Sequence, residues 1–144
     1  MKTVKFGAPK YIGDPLNAVR IFNEKEVDEL IVLDVEASRQ GTEPDLQLIE
    51  ELATQCAMPL CVGGGIRNLA QAQSLFSLGV EKICVQHGAL WDLELLRNLS
   101  REFGSQAVVA SIDVKRSKLG RDRLFDAATR TTLNRDWKEY LEWV

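Results

Sequence analysis

The sequence predicts an α/β fold, an incomplete (β/α)8 barrel, on three observations. Short apolar runs alternate with longer segments of helical period. Four such runs are each separated from the next by one helix, and polar residues gather where the runs end. Strand, helix and strand in that order make a right-handed crossover, so the four runs form one parallel sheet. A doubly wound sheet obeys the same grammar. However, Asp34, the triplet Gly63-Gly64-Gly65, Gln86-His87 and Asp113 all stand at C-terminal strand ends, and in a barrel these ends converge on one active face. The chain has 144 residues, whereas a closed barrel takes roughly 250. A single partial barrel domain over residues 1–144 is therefore expected.

Each element has its own signal. Asp14-Pro15 opens a helix through about Asn23, since Asp suits the N-cap and Pro the first turn. Glu29 to Asp34 (ELIVLD) is an apolar run ending in a carboxylate, as strands buried on both faces are. ASRQGTEPD then reads as a polar loop. From Asp45 to Gln55 a helix carries Leu46, Ile49, Leu52 and Ala53 on one face. Pro59 to Val62 is the second strand, stopped by the glycine triplet. Asn68 caps a helix with Leu69, Ala72, Leu75, Phe76 and Leu78, ended by Gly79. Lys82 to Val85 is the third strand. A helix from Asp92 to Phe103 turns Leu95, Leu96 and Leu99 inward and closes at Gly104. Ala107 to Val114 (AVVASIDV) reads as the fourth strand. Beyond it Lys115 to Arg123 is basic and polar, Leu124 to Thr132 suits a short hairpin, and Asn134 caps a last stretch, Trp137 to Val144, that reads as stopping in mid-helix.

Composition narrows the function. A net charge of -3 offers no basic patch, which argues against nucleic acid. No apolar run approaches the roughly 18 residues of a membrane helix, and the N-terminus lacks an apolar signal segment, so a cytoplasmic protein is expected. Cys56, Cys61 and Cys84 are odd in number and form no CxxC pair; they read as reduced thiols. With one histidine a His/Cys metal cluster lacks ligands, and neither metal nor cofactor is expected.

The sharpest local feature is Val62-Gly63-Gly64-Gly65-Ile66-Arg67-Asn68. Three glycines between a strand and a helix expose N–H groups and let a ligand approach the main chain, which suits a phosphate. A tight turn is the alternative. Asp113 ends an apolar strand and is placed to exchange protons with a substrate, or to cap a loop. Asp34 has the same location and the same two readings. Gln86 and His87 close the third strand and could donate to a phosphate or simply be solvated. Glu29 and Lys82 lie at N-terminal strand ends, opposite the chemistry, where charges are structural or solvated by default.

Four motifs in register, DELIVLDVEAS, MPLCVGGGIRN, LGVEKI and FGSQAVVASIDVKR, resemble the cyclase subunit of imidazole glycerol phosphate synthase. That family closes the imidazole ring in histidine biosynthesis on a (β/α)8 barrel, with ammonia from a glutaminase partner. The resemblance runs from Lys2 to about Arg116, with a weaker echo in Arg135-Asp136-Trp137. It implies that the chain holds roughly the second to fifth strands. Asp113 would be one of two catalytic carboxylates, and its partner would sit on a first strand outside this chain. Lys2 would be the lysine of a mobile loop. Asp34 would support the active face, and Gly63 to Gly65 with Gln86 and His87 would hold one of two substrate phosphates. Glu29 and Lys82 would gate ammonia at the barrel base; Glu81 and Gln106 would lie where the glutaminase docks.

The chain also departs from that pattern. Glu36 stands where a threonine is usual, and Gln86-His87 where the family has Asn followed by Ser or Thr. GTEPDLQLIEEL and MPLCVGGGI resemble more closely a paralogous branch that works beside an amidotransferase on acetamidino groups of bacterial surface sugars. A third reading is a non-catalytic half-barrel that binds phosphate or docks a partner. Four or five strands leave two open edges and an apolar inner face, so an inert chain that self-associates is expected.

Overall fold

The computed structural model describes residues 13–116, 120–126 and 129–141, without the side chains of His87 and Glu139. Lys2 and the end of the last predicted helix lie outside the described residues. The order is α1 (Pro15–Glu24), β1 (Leu30–Leu33), α2 (Val35–Gln40), α3 (Leu46–Gln55), β2 (Leu60–Gly63), α4 (Leu69–Ser77), β3 (Lys82–Val85), α5 (His87–Trp91) and α6 (Leu93–Phe103), then β4 (Val108–Ala110), β5 (Asp113–Arg116), β6 (Asp122–Asp126), β7 (Thr131–Thr132) and α7 (Trp137–Leu141). Strands β1 to β4 form one parallel sheet in chain order, and β5 to β7 an antiparallel sheet.

The capping signals act as their chemistry dictates. Asp14, Asp45, Asn68 and Asp92 each accept an N–H of the first helical turn they precede, satisfying donors that would otherwise lack a partner. Strand register sorts the sheet into two faces. Val32, Val62, Ile83 and Val108 stand side by side, as do Leu30 with Leu60 and Val85 with Ala110. All of these pack in the main core with Leu52, Leu75, Leu96 and Leu99 from the helices. Each aliphatic side chain buried this way contributes about 1.5–3 kcal/mol. Phe76 and Phe103 join α4 to α6 with ring centroids 4.5 Å apart.

The other, inner face carries Ile31, Cys61 and Lys82 in one row and Leu33, Gly63, Cys84 and Val109 in the next. Ile31 and Leu33 are 54% and 53% exposed. Cys61 and Cys84 are buried, and all three cysteines are free.

Four expectations need correction. The segment read as a polar loop contains α2, capped by Asp34 and ended by Gly41. The segment at Gln86-His87 turns directly into α5 instead of remaining a loop. The fourth strand stops at Ala110: Ser111 N–H still reaches the Val85 carbonyl, but Asp113 to Arg116 leave the parallel sheet and pair with Asp122 to Phe125. The pull comes from Leu124, which is fully buried with Leu90 and Tyr140. Finally, Asp136, not Asn134, caps α7, accepting the Lys138 N–H at 2.8 Å.

Candidate active site

Asp34, the glycine triplet, Gln86 and the His87 backbone stand at the C-terminal ends of the first three parallel strands, and Asp113 follows three residues beyond β4, at the start of β5. Asp34 follows β1 directly. Its Oδ1 accepts the N–H groups of Glu36 at 3.0 Å and Ala37 at 2.9 Å, so its first task is to cap α2. Its own N–H reaches the Gly63 carbonyl at 2.8 Å.

The glycine triplet is held by close approach of main chains. A Cβ on Gly64 would stand 2.1 Å from the Asp34 carbonyl oxygen, and one on Gly65 would stand 2.7 Å from the Thr42 carbonyl oxygen. Gly64 also adopts φ +108, a conformation that side chains disfavour. Among the described residues no protein oxygen accepts the N–H of Gly64 or Gly65, although Gly65 is buried. Buried N–H groups in folded proteins are nearly always paired, so this loop has donors available for an anion. Gln86 is half-buried and makes no capping bond to α5. Asp113 is half-buried at the first position of β5, opposite Phe125.

At the opposite end of the sheet lie Glu29, Lys82, Glu81 and Gln106. Lys82 Nζ sits 2.9 Å from Glu29 Oε1, each side chain about one-third exposed at 34% and 33%. Glu81 is exposed, and its carboxylate accepts the Leu60 N–H at 3.1 Å. Gln106 is exposed in the 3-10 turn Ser105–Ala107 that leads into β4. Cys61 lies beside Lys82 in register. Burial pushes its thiol from the ordinary value of 9.0 up to about 11, with Cys84 and Glu29 adding to the rise and Lys82 opposing it. Cys84 is also raised by burial, partly offset by a hydrogen bond with Ser111. Both thiols are therefore neutral near pH 7 and unsuited to nucleophilic attack.

Sequence reasoning missed a second polar anchor. Asp126 is 1% exposed; it accepts Trp91 Nε1–H at 2.8 Å and the Thr129 N–H at 3.3 Å. Together with Leu90, Leu124 and Tyr140, it fixes the hairpin that follows Asp113 against α5, the helix that starts at the Gln86-His87 end of β3.

The whole chain, residues 1–144, matches the family model described as "Histidine biosynthesis protein". Among similar relatives, a Pseudomonas aeruginosa protein provisionally named imidazole glycerol phosphate synthase subunit hisF2 is 51% identical over 145 residues, covering 99% of this chain and 58% of its own length. A provisionally named HisF subunit from Leptospira borgpetersenii is 54% identical over 121 residues, 84% of this chain and 48% of that protein. Imidazole glycerol phosphate synthase subunit HisF of Exiguobacterium sibiricum is 38% identical over 117 residues, 81% of this chain and 47% of that one. The chain spans about half the length of the curated relatives it matches.

Proposed function

The chain belongs to the histidine biosynthesis protein family, and on that premise we propose that it forms part of the active face of a cyclase subunit. That subunit would use ammonia from a glutaminase partner to close the imidazole ring of a phosphorylated histidine precursor. The observation that carries the reading is the pair of N–H groups at Gly64 and Gly65 without an acceptor among the described residues, at the same end of the parallel sheet as Asp34 and Gln86. In it a substrate phosphate accepts from Gly64 and Gly65, with Gln86 and His87 beside it. Asp113 then takes a proton from the attacking nitrogen and returns one to the departing group. Lys2 and a second carboxylate from outside this chain complete the set, so the chain by itself is inert.

Ammonia enters at the other end. The Glu29–Lys82 pair closes the base of the sheet, and above it the inner face is lined by Ile31, Cys61, Leu33, Cys84 and Val109. Such a lining passes neutral ammonia and opposes ammonium, because an unpaired cation is costly to desolvate. Glu81 and Gln106, exposed at this end, face the glutaminase.

The test is turnover of the protein with its flanking halves restored, supplied with ammonium salt and a phosphorylated ribosyl-aminoimidazole precursor. Asp113→Asn keeps shape but cannot shuttle a proton, and it should lower turnover by about 10²–10⁴-fold with the circular dichroism unchanged. Turnover near that of the unaltered protein removes Asp113 from the mechanism. A second reading, the acetamidino-sugar branch, is favoured by the stretches GTEPDLQLIEEL and MPLCVGGGI. Turnover confined to a phosphorylated or nucleotide-linked sugar would select it.

A further inference from the structure

We propose that Cys61 and Cys84, diagonal neighbours on the inner face of the parallel sheet, form a two-coordinate site for a soft monovalent cation of the Cu(I) class. The register places them. Cys61 stands opposite Lys82, and Gly63 opposite Cys84, so the two cysteines are one strand and two residues apart. Residues two apart on a strand share a face, so both thiols project to the same side. Cys61 is 0% and Cys84 7% exposed, and neither is in a disulfide. A Cβ on Gly63 would stand 2.9 Å from the Cys84 Cβ, so the glycine leaves room beside Cys84.

The spacing selects what the pair can hold. Neighbouring strands lie about 4.8 Å apart and two residues rise about 6.6 Å, which puts the two Cα atoms about 8 Å apart. Cysteines separated by more than about 7 Å form no disulfide without backbone movement. An ion between them asks for less approach. Taking the zinc–thiolate length of about 2.3 Å for each bond, two bonds in line span about 4.6 Å between the sulfurs.

The surroundings narrow the choice of ion. Among the described residues no group of three or more histidine, cysteine or carboxylate side chains could hold a metal ion, so a cation that requires four ligands, such as zinc, is not served. Thiolates select soft ions, Cu(I) among them. Burial keeps both thiols protonated near neutral pH, and the ion has to displace both protons. Two thiols and one monovalent cation give a thiolate–metal–thiolate unit of net charge −1 and two protons released to solvent. Lys82, opposite Cys61 in the ladder and shared with Glu29, is the cation beside that charge. The site does not depend on the function proposed above; where that function holds, an ion here lies across the ammonia path.

The experiment titrates the reduced chain with Cu(I) in anaerobic buffer against the chelator bathocuproine disulfonate, with Zn(II) as the contrasting ion. The expected result is one Cu(I) per chain with two sulfur ligands by X-ray absorption. Because two protons leave, the apparent Kd should fall about 100-fold per pH unit between about pH 6 and 8. Cys61→Ser and Cys84→Ser should each abolish stoichiometric binding, whereas Cys56→Ser, at the end of α3, should leave it unchanged. Circular dichroism checks that the variants fold; if one does not, the sulfur count and pH slope of the unaltered chain decide. A Kd that changes only about tenfold per pH unit points to a single thiol and overturns the inference. So do three or more sulfur ligands, Zn(II) held as tightly as Cu(I), or unchanged binding in either folded inner-face variant.

Discussion

Replacing Gly64 by alanine should cost far more than the same change at Gly79, and the difference isolates the contact that shapes the phosphate loop. Both residues have positive φ, +108 at Gly64 and +92 at Gly79. Forcing a side chain into such a conformation costs about 1–2 kcal/mol. The surroundings differ. A Cβ at Gly79 meets nothing within 4 Å, whereas one at Gly64 stands 2.1 Å from the Asp34 carbonyl oxygen and 2.8 Å from its carbonyl carbon. Relief means moving main chain, and overpacking of this kind adds about 1–3 kcal/mol. Asp34 is also the cap of α2 through Oδ1, so displacing it puts a cap worth roughly 1 kcal/mol at risk. Gly64→Ala should thus lose about 2–5 kcal/mol and Gly79→Ala about 1–2 kcal/mol. Urea unfolding of the two variants side by side measures this. Equal losses would mean that the strand end yields easily and that the close approach to Asp34 does not shape the loop.

Two further predictions follow from the inner face. Cys61 holds its proton to about pH 11 in the folded chain, whereas the ordinary thiol loses it at 9.0. The unfolded state therefore releases a proton that the native state keeps, and stability should fall as pH rises from about 9 to about 11. Cys61→Ala should flatten that limb of the pH profile; an unchanged slope would assign it to other groups. The exposed Ile31 and Leu33, on β1, the first strand of the parallel sheet and unpaired on its other side among the described residues, should drive self-association of the 16.1 kDa chain. Sedimentation should show a concentration-dependent dimer that Ile31→Lys dissociates, and a monomer at all concentrations would contradict this.

What could be read from the sequence follows from how local each signal is. The four strands announced themselves because both faces of a parallel sheet are apolar there, and the caps because Asp and Asn act within three residues. The glycine triplet was legible as a chain turn, whereas the Asp34 and Thr42 carbonyls that crowd it come from another part of the chain and left no local mark. The end of β4 was not. AVVASIDV is apolar or small apart from Asp113, and only the burial of Leu124, ten residues beyond Val114, shows why Asp113 turns into a hairpin. Helix α2 has six residues and too few apolar positions for a period to appear. Asp126 carried no signal in the sequence, because its partner Trp91 is 35 residues away and nothing in the local pattern marks long-range pairs. The like-charged Lys115 and Arg123 read as a polar stretch until register placed them opposite each other.

The two-sided sheet also bears on how the chain finds its fold. Every parallel pairing joins neighbours in the chain: Leu30 meets Leu60, Cys61 meets Lys82, and Ile83 meets Val108. Each of these loops is short and closes on a helix that packs at once into the outer core. Closing short loops costs little entropy, and folding rates rise as contacts become more local. Assembly can therefore run in the direction of synthesis, each strand pairing with an edge laid down about one helix earlier. Growth along the sheet needs no distant partner.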